Sequence, residues 1–198
     1  MAVSAMANPE HEAILNQGVA VWNQWRLDNP AIKPNLQNVY IGKRAYFEAD
    51  LSDTNLMGAS LSYTSLGGAN LTGANLTGAQ LRHTFLMTAD LSHANLTGAN
   101  LSYAQLAGAK LNHTNLKEAI FNGRNFEDTD FEGAVCNLTV FINIDLSKTR
   151  GLDKVIHKKY SSIGVDTLSK SKGKIPESFL RGCGLSEKLI LLLPALLE

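Results

Sequence analysis

Between Leu36 and Leu146 an apolar residue stands at every fifth position without interruption. The series runs Leu36, Ile41, Tyr46, Leu51 and onward to Leu116, then Phe121, Phe126, Phe131, Cys136, Phe141 and Leu146. Two residues before each of these, from Ala49 to Thr139, the chain carries Ala or Thr, with Arg124 the exception. A period of five matches neither an α-helix, which repeats every ~3.6 residues, nor a flat strand, whose faces alternate. In an extended segment the small residue and the apolar residue after next point to one side. Because five is odd, the next repeat faces the other way unless the chain turns. One turn per repeat keeps two positions inside and three outside. Glycine is concentrated two positions after the central residue, at Gly58, Gly68, Gly73, Gly78, Gly98, Gly108, Gly123 and Gly133, where a tight turn would need it. A chain that turns in one sense at each repeat winds into a coil.

The outward residues indicate how many repeats make one coil. A twenty-residue coil puts Asn35, Asn55, Asn75, Asn95 and Asn115 in one column, and stacked amides form hydrogen-bonded ladders. A fifteen-residue coil would instead mix Asn35, Asp50, Ser65, Gln80 and Asn95. Arg44 and Arg124 interrupt the small inward positions and are also separated by a multiple of twenty. The pattern favours an all-β solenoid of four faces, with coils stacked about 4.8 Å apart. The interior is then central Leu, with Ala and Thr letting the walls approach. The change to Phe at Phe121, Phe126, Phe131 and Phe141 predicts a wider final coil.

The segments ANLTGANLTGAQL (69–81) and ADLSHANLTGANL (89–101) resemble pentapeptide-repeat proteins, whose consensus is close to A(D/N)LXX. The resemblance covers residues 36 to 149. It implies a right-handed quadrilateral parallel β-helix with four repeats per coil; the handedness comes from the resemblance alone. The family is abundant in cyanobacteria. Some members are acidic dimeric rods that resemble duplex DNA and bind type II topoisomerases, so the resemblance carries that partner as one alternative.

Three segments follow: an N-terminal helical cap (1–33), the repeat β-helix (34–149) and a C-terminal non-repeat cap or tail (150–198). Residues 10–28 read as one amphipathic helix, with Asn8 as N-cap, Pro9 in the first turn and Asn29-Pro30 as the stop. Its apolar stripe is Leu15, Gly18, Val19, Trp22 and Trp25. Such a helix is expected to cover the raw edge of the first coil. The stretch after Arg150 resembles the segment that closes many bacterial members. The final KLILLLPALLE is too short to span a bilayer and is interrupted by Pro194. It is expected to pack on the solenoid, with a homodimer contact or a peripheral membrane contact as alternatives.

Net charge is zero but unevenly spread. Residues 46–148 carry ten acidic and five basic side chains, and residues 149–198 carry nine basic and five acidic. The tail is thus expected to fold against the mildly acidic body. Two cysteines do not suggest a disulfide framework, and no apolar leader or membrane span is evident, so a cytoplasmic protein is expected. Cys136 occupies a central inward site, while Cys183 lies in a more open FLRGCGL context without a paired histidine.

Candidate chemistry is sparse. His93 and His113 share a column with Asp53, but a metal site needs more ligands than these supply; solvent-facing histidines are expected, with no metal and no cofactor. No nucleophile motif or phosphate loop is present, which argues against an enzyme. The cluster Glu127, Asp128, Asp130 and Glu132 is a candidate acidic patch, yet the modest charge excess argues against mimicry of DNA. One outward group breaks the polar pattern: Tyr63, His83 and Tyr103 form a column, with Phe85 and Met87 around the corner. These five form the candidate interaction patch. The expected function is a non-catalytic scaffold or adaptor working through protein–protein contacts, in a regulatory role and without direct nucleic-acid contact. Topoisomerase binding by DNA mimicry is the alternative, and a metal-binding or enzymatic protein comes third.

Overall fold

The computed structural model describes residues 6–123 and 125–197. Through the repeats, the residue before each central apolar one bridges in parallel to the residue twenty positions on: Asn35 to Asn55, Tyr40 to Ser60, Ala45 to Ser65 and Asp50 to Asn70. The same four columns continue through Asn95–Asn115 and Asn100–Ile120. One coil therefore takes twenty residues and four repeats, as the asparagine column requires. Pairing mostly stops at single bridges, because the chain turns before a second residue can join the ladder. Extended strands among the described residues are few and short: β1 (Ile120–Asn122), β2 (Val135–Cys136) and β3 (Val140–Ile142) lie where the core turns to Phe.

The turn dictates the backbone. From Leu36 to Phe141 the second residue after each central one has a positive φ, mostly near +60°, whether it is Gly73, Gly98 or Gly108 or a residue with a side chain, such as Asp53, His83 or Tyr103. Most of these turns are closed by an amide reaching back three residues, as in Ala79 N–H to Leu76 C=O at 3.0 Å. Positive φ at the third residue is type II turn geometry, which favours glycine. Between turns, Leu76 N–H donates to Asn95 C=O at 2.8 Å and Asn95 N–H donates back to Ala74 C=O at 2.9 Å. Successive coils are thus stitched in both directions.

Inside, Leu56, Leu76, Leu96 and Leu116 are fully buried, as are Ala59, Ala79 and Ala99. The inward threonines differ from the alanines in one respect. Thr84, Thr114, Thr129 and Thr139 donate their hydroxyls to the carbonyls of Leu61, Leu91, Leu106 and Leu116 at 2.8–2.9 Å. A buried hydroxyl with a carbonyl in reach costs little, so either residue fits. On the outside, Asn75 Nδ2 donates to Asn55 Oδ1 at 3.3 Å, and Asn115 to Asn95 at 3.2 Å. Each Oδ1 also accepts an amide two residues on, as from Thr77 at 3.2 Å.

The N-terminal segment forms two helices rather than one, α1 (Pro9–Asn16) and α2 (Val19–Asp28). Asn8 caps α1 by accepting Glu10 N–H at 2.9 Å, but Gly18, at φ 113°, breaks the helix before Val19. Both helices serve the free edge of the first coil. Asn35 N–H donates to His11 Nδ1 at 3.0 Å, and Asp50 N–H to Asn23 Oδ1 at 2.8 Å. Trp22 Nε1 donates to Asp50 C=O at 2.7 Å, and buried Arg26 reaches the carbonyls of Ile32 and Ser52 at 2.8 and 3.0 Å. Arg44 is not an inward residue: its side chain is exposed and its guanidinium bonds Asn16 of α1. Arg124 lies outside the described residues.

At the other end the Phe-lined coil keeps twenty residues, contrary to the expected widening, since Ile120 pairs with Val140 and Asp130 with Arg150; the coil lengthens only past Arg150, where the repeat is lost. β2 pairs with β4 (Ile156–His157) in a register of twenty-one residues, and β3 with β5 (Ser162–Ile163) in one of twenty-two. Three helices follow: α3 (Val165–Ser171), α4 (Glu177–Gly182) and α5 (Glu187–Leu197). Thr167 and Ser171 of α3 accept the amides of Ile144 and Leu146 at 3.3 and 3.0 Å, and Phe179 of α4 sits edge-on to Phe141 at 5.3 Å. In α5, Ile190 and Leu193 are buried and share a small cavity of about 100 Å³ with Leu168, Ile175 and Leu180. The KLILLLPALLE segment thus packs on the neighbouring helices, while Leu189, Leu191, Leu192 and Leu196 remain exposed. Among the described residues, no helix is long and apolar enough to cross a membrane.

Leu96→Ala should cost about 2–5 kcal/mol, because the surrounding coils cannot collapse into the space. Thr84→Val should cost only about 1 kcal/mol, the value of one hydrogen bond. Chemical denaturation of the two variants measures both; a Leu96→Ala loss below about half a kcal/mol would contradict the inward register.

Candidate interaction face

One face of the coil is built from residues 44–48, 64–68, 84–88 and 104–108, stacked by the Ala45–Ser65, Ser65–Phe85 and Phe85–Gln105 bridges. Its bridging row is Ala45, Ser65, Phe85 and Gln105, and the row beside it is Phe47, Gly67, Met87 and Ala107. None of these eight residues is charged. Phe47, Phe85 and Met87 are 55%, 37% and 42% exposed, far more than a buried core allows. The Phe47 ring lies over Gly67, where an added Cβ would meet its Cδ1 at 3.2 Å. Glycine here clears space for a ring rather than serving a turn.

The corner bordering this face carries the expected aromatic column. Tyr63 and His83 stack at 4.7 Å with 5° between planes, and His83 and Tyr103 at 5.0 Å with 14°. All three have φ near +60°. The coil spacing of about 4.8 Å is close to the distance at which flat rings stack, so the fold aligns them without further adjustment. The structure places Tyr63, His83, Phe85, Met87 and Tyr103 along one face and its corner. Phe47 belongs with them. The column Phe47–Gly67–Met87 was the available signal, but a glycine between two large residues hides it.

Two of the four carboxylates in the acidic cluster are ion-paired. Lys148 pairs with Glu127 at 2.7 Å and Lys154 with Glu132 at 2.6 Å, while Arg150 donates to the Asp128 carbonyl at 2.9 Å. Hydrogen bonding to these carboxylates raises the pKa of both lysines. The basic tail folds against the acidic body, as the charge distribution suggests. His93 and His113 stack at 5.2 Å, while Asp53 lies 3.7 Å from Lys33. Among the described residues no three His, Cys, Asp or Glu side chains are grouped to hold a metal.

Both cysteines are free and buried, so Cys183 is less open than its sequence context suggests. Burial pushes each thiol up to about 12, with hydrogen bonds from Thr139 and Ser161 opposing this at Cys136 and the nearby Cys136 adding to it at Cys183. At neutral pH both stay protonated, the unreactive form. His157 is half-buried, with Ser161 Oγ 3.3 Å from its Nδ1 and the Phe179 ring 5.1 Å away. Burial holds its pKa below the ordinary 6.5.

The family model for pentapeptide repeats matches residues 49–86 and 86–123. A pentapeptide repeat protein from the cyanobacterium Cyanothece 51142 is 31% identical, over 58% of this chain and 92% of its own, with a TM-score of 0.53. The chain belongs to the pentapeptide repeat family. Another family member, from Nostoc Pcc 7120, is 30% identical over 67% of this chain and 93% of its own, with a TM-score of 0.36. A pentapeptide repeat protein of the Arabidopsis thaliana thylakoid lumen is 31% identical over 52% of this chain and 69% of its own, with a TM-score of 0.42. No curated protein matches the chain.

His83→Gly should change stability by no more than about 1 kcal/mol, because glycine relieves a left-handed backbone as two ring stacks are lost; thermal unfolding measures it. The unfolded chain protonates His157 near pH 6.5, whereas the folded state resists, so acid favours unfolding. Stability should therefore fall as pH drops below 6.5 towards the depressed value, and His157→Phe should flatten this loss in unfolding midpoints measured from pH 8 downwards.

Proposed function

We propose that the protein is a non-catalytic scaffold or adaptor, in a regulatory role, that engages a protein partner through the face whose uncharged central rows carry Phe47, Phe85 and Met87 and through its Tyr63–His83–Tyr103 corner. In this reading residues 34–149 form the right-handed quadrilateral β-helix of the family, with residues 1–33 and 150–198 as caps. The observation that carries it is the concentration of exposed aromatic and Met side chains on two central rows that hold no charged residue. Interfaces are enriched in such residues and depleted of charge at their centres. A flat wall of stacked coils presents them on a rigid base, so a partner would bind with little ordering of the rod.

Binding of a topoisomerase by DNA mimicry would need a broad negative field. The pairing of Lys148 with Glu127 and Lys154 with Glu132 removes much of the local excess, so the acidic patch is not part of this proposal.

Replacing Ser65, at the centre of the face, by a photo-reactive amino acid should yield one dominant cross-linked protein in lysate of the native cell. The Phe85→Glu/His83→Gly variant, confirmed folded by circular dichroism, should lose that product. Retention of the same product at undiminished yield would place the contact elsewhere.

A further inference from the structure

A second open region lies at the C-terminal end, away from the aromatic face. A surface groove of about 580 Å³ is lined by Leu138, His157, Lys158, Lys159, Tyr160 and Gly182. Its volume falls within the range of about 300–1,000 Å³ typical of small-molecule sites. The groove is shaped by two close approaches. The His157 ring rests against Gly182, where an added Cβ would come within 2.1 Å of Cδ2, and the Tyr160 ring rests against Gly184, where it would meet Cγ at 3.2 Å. Two glycines on either side of Cys183 thus let two rings lie close to one stretch of backbone.

Three features there lack an internal explanation. Lys158 and Lys159 are exposed and have no ion-pair partner among the described residues, whereas nearby Lys154 and Arg181 pair with Glu132 and Glu187. Leu138 occupies a corner with φ 55° yet is 49% exposed, so an apolar side chain takes a costly backbone position without burial in return. His157 Nε2 and, in the residue before Leu138, Asn137 Oδ1 are buried without a hydrogen-bond partner; among the described residues Tyr46 Oη is the other such atom. Buried polar atoms in native proteins are nearly always bonded. Two unpaired cations, one exposed leucine and the His157 ring line a single groove.

We propose that this groove binds a small organic anion that joins a carboxylate or phosphate to a planar apolar ring. The two ammonium groups attract the anion as point charges, and Leu138 and the exposed Tyr160 ring, beside the half-buried His157 ring, cover the apolar body. An aromatic carboxylate and a nucleoside monophosphate share this chemistry.

The test is a titration of the ¹⁵N-labelled full chain with benzoate, adenosine monophosphate and inorganic phosphate, followed by amide shifts. At least one of the two organic anions should saturate shifts at Leu138, Lys158, Lys159, Tyr160 and Gly182, and the one that binds more tightly identifies the anionic group. Lys158→Glu/Lys159→Glu should weaken that binding by about tenfold or more. Leu138→Gly, which suits the left-handed corner and should preserve the fold, should weaken the organic anion while leaving any phosphate binding unchanged. The proposal is overturned if neither organic anion gives saturable shifts at the groove, if the double-lysine variant binds as well as the parent, or if phosphate alone binds as tightly as both organic anions.

Discussion

One backbone requirement underlies the whole rod: a left-handed residue once in every five. It reverses the sense of the chain just as alternation would carry the next apolar residue outward, and so it keeps every central Leu inside. It also brings each face back over itself after twenty residues, which lets Leu76 N–H meet Asn95 C=O and Asn95 N–H meet Ala74 C=O. Without that turn the period of five would have no consistent inside. The requirement is strong enough to hold Asp53, His83, Tyr103 and Leu138 at φ near +60°, a region that favours glycine. Where a large side chain takes a corner, some other use for it is a reasonable question. His83 answers it by stacking between two tyrosines, while Leu138 finds no such partner inside the chain.

Stacking satisfies every coil from both sides except the first and the last. The two ends solve this problem with different chemistry. At the N-terminal edge, side chains of α1 and α2 supply the missing partners: His11 and Asn23 accept amides, while Trp22 and Arg26 donate to carbonyls. At the C-terminal edge, hydroxyls of α3 accept the last amides, and Phe179 continues the aromatic core beyond Phe141. Covering an edge in this way also removes a template for pairing with other chains. The coil lengthens to twenty-one and then twenty-two residues only past Arg150, where the repeat is lost; the Phe-lined coil itself keeps twenty, as the Ile120–Val140 and Asp130–Arg150 pairs show.

The two open regions differ in character. The aromatic face has uncharged central rows, and it rests on the most regular part of the rod. The groove at the end is concave and basic, and it forms where the repeat has been lost. Column arithmetic made the first largely legible: Tyr63, His83 and Tyr103 can be aligned by counting twenties. Phe47 escaped because Gly67 separates it from Met87 in its column. The groove escaped altogether, because Leu138, Tyr160 and Gly182 share no period and are far apart in the chain.

By itself the sequence determined the inward positions, the twenty-residue coil and the columns of outward residues, because all three follow from one period and the geometry of a turning extended chain. It also pointed to the mutual attraction of an acidic body and a basic tail. Only the tertiary structure decided that Arg44 turns out to Asn16, that the first helix breaks at Gly18, and that Cys183 is buried. The final helix likewise buries Ile190 and Leu193 against its neighbours while Leu189 and Leu192 stay exposed. These outcomes depend on contacts between segments that no repeat relates. A periodic chain states its packing rule many times over, whereas each end is a single local competition for burial and hydrogen bonds.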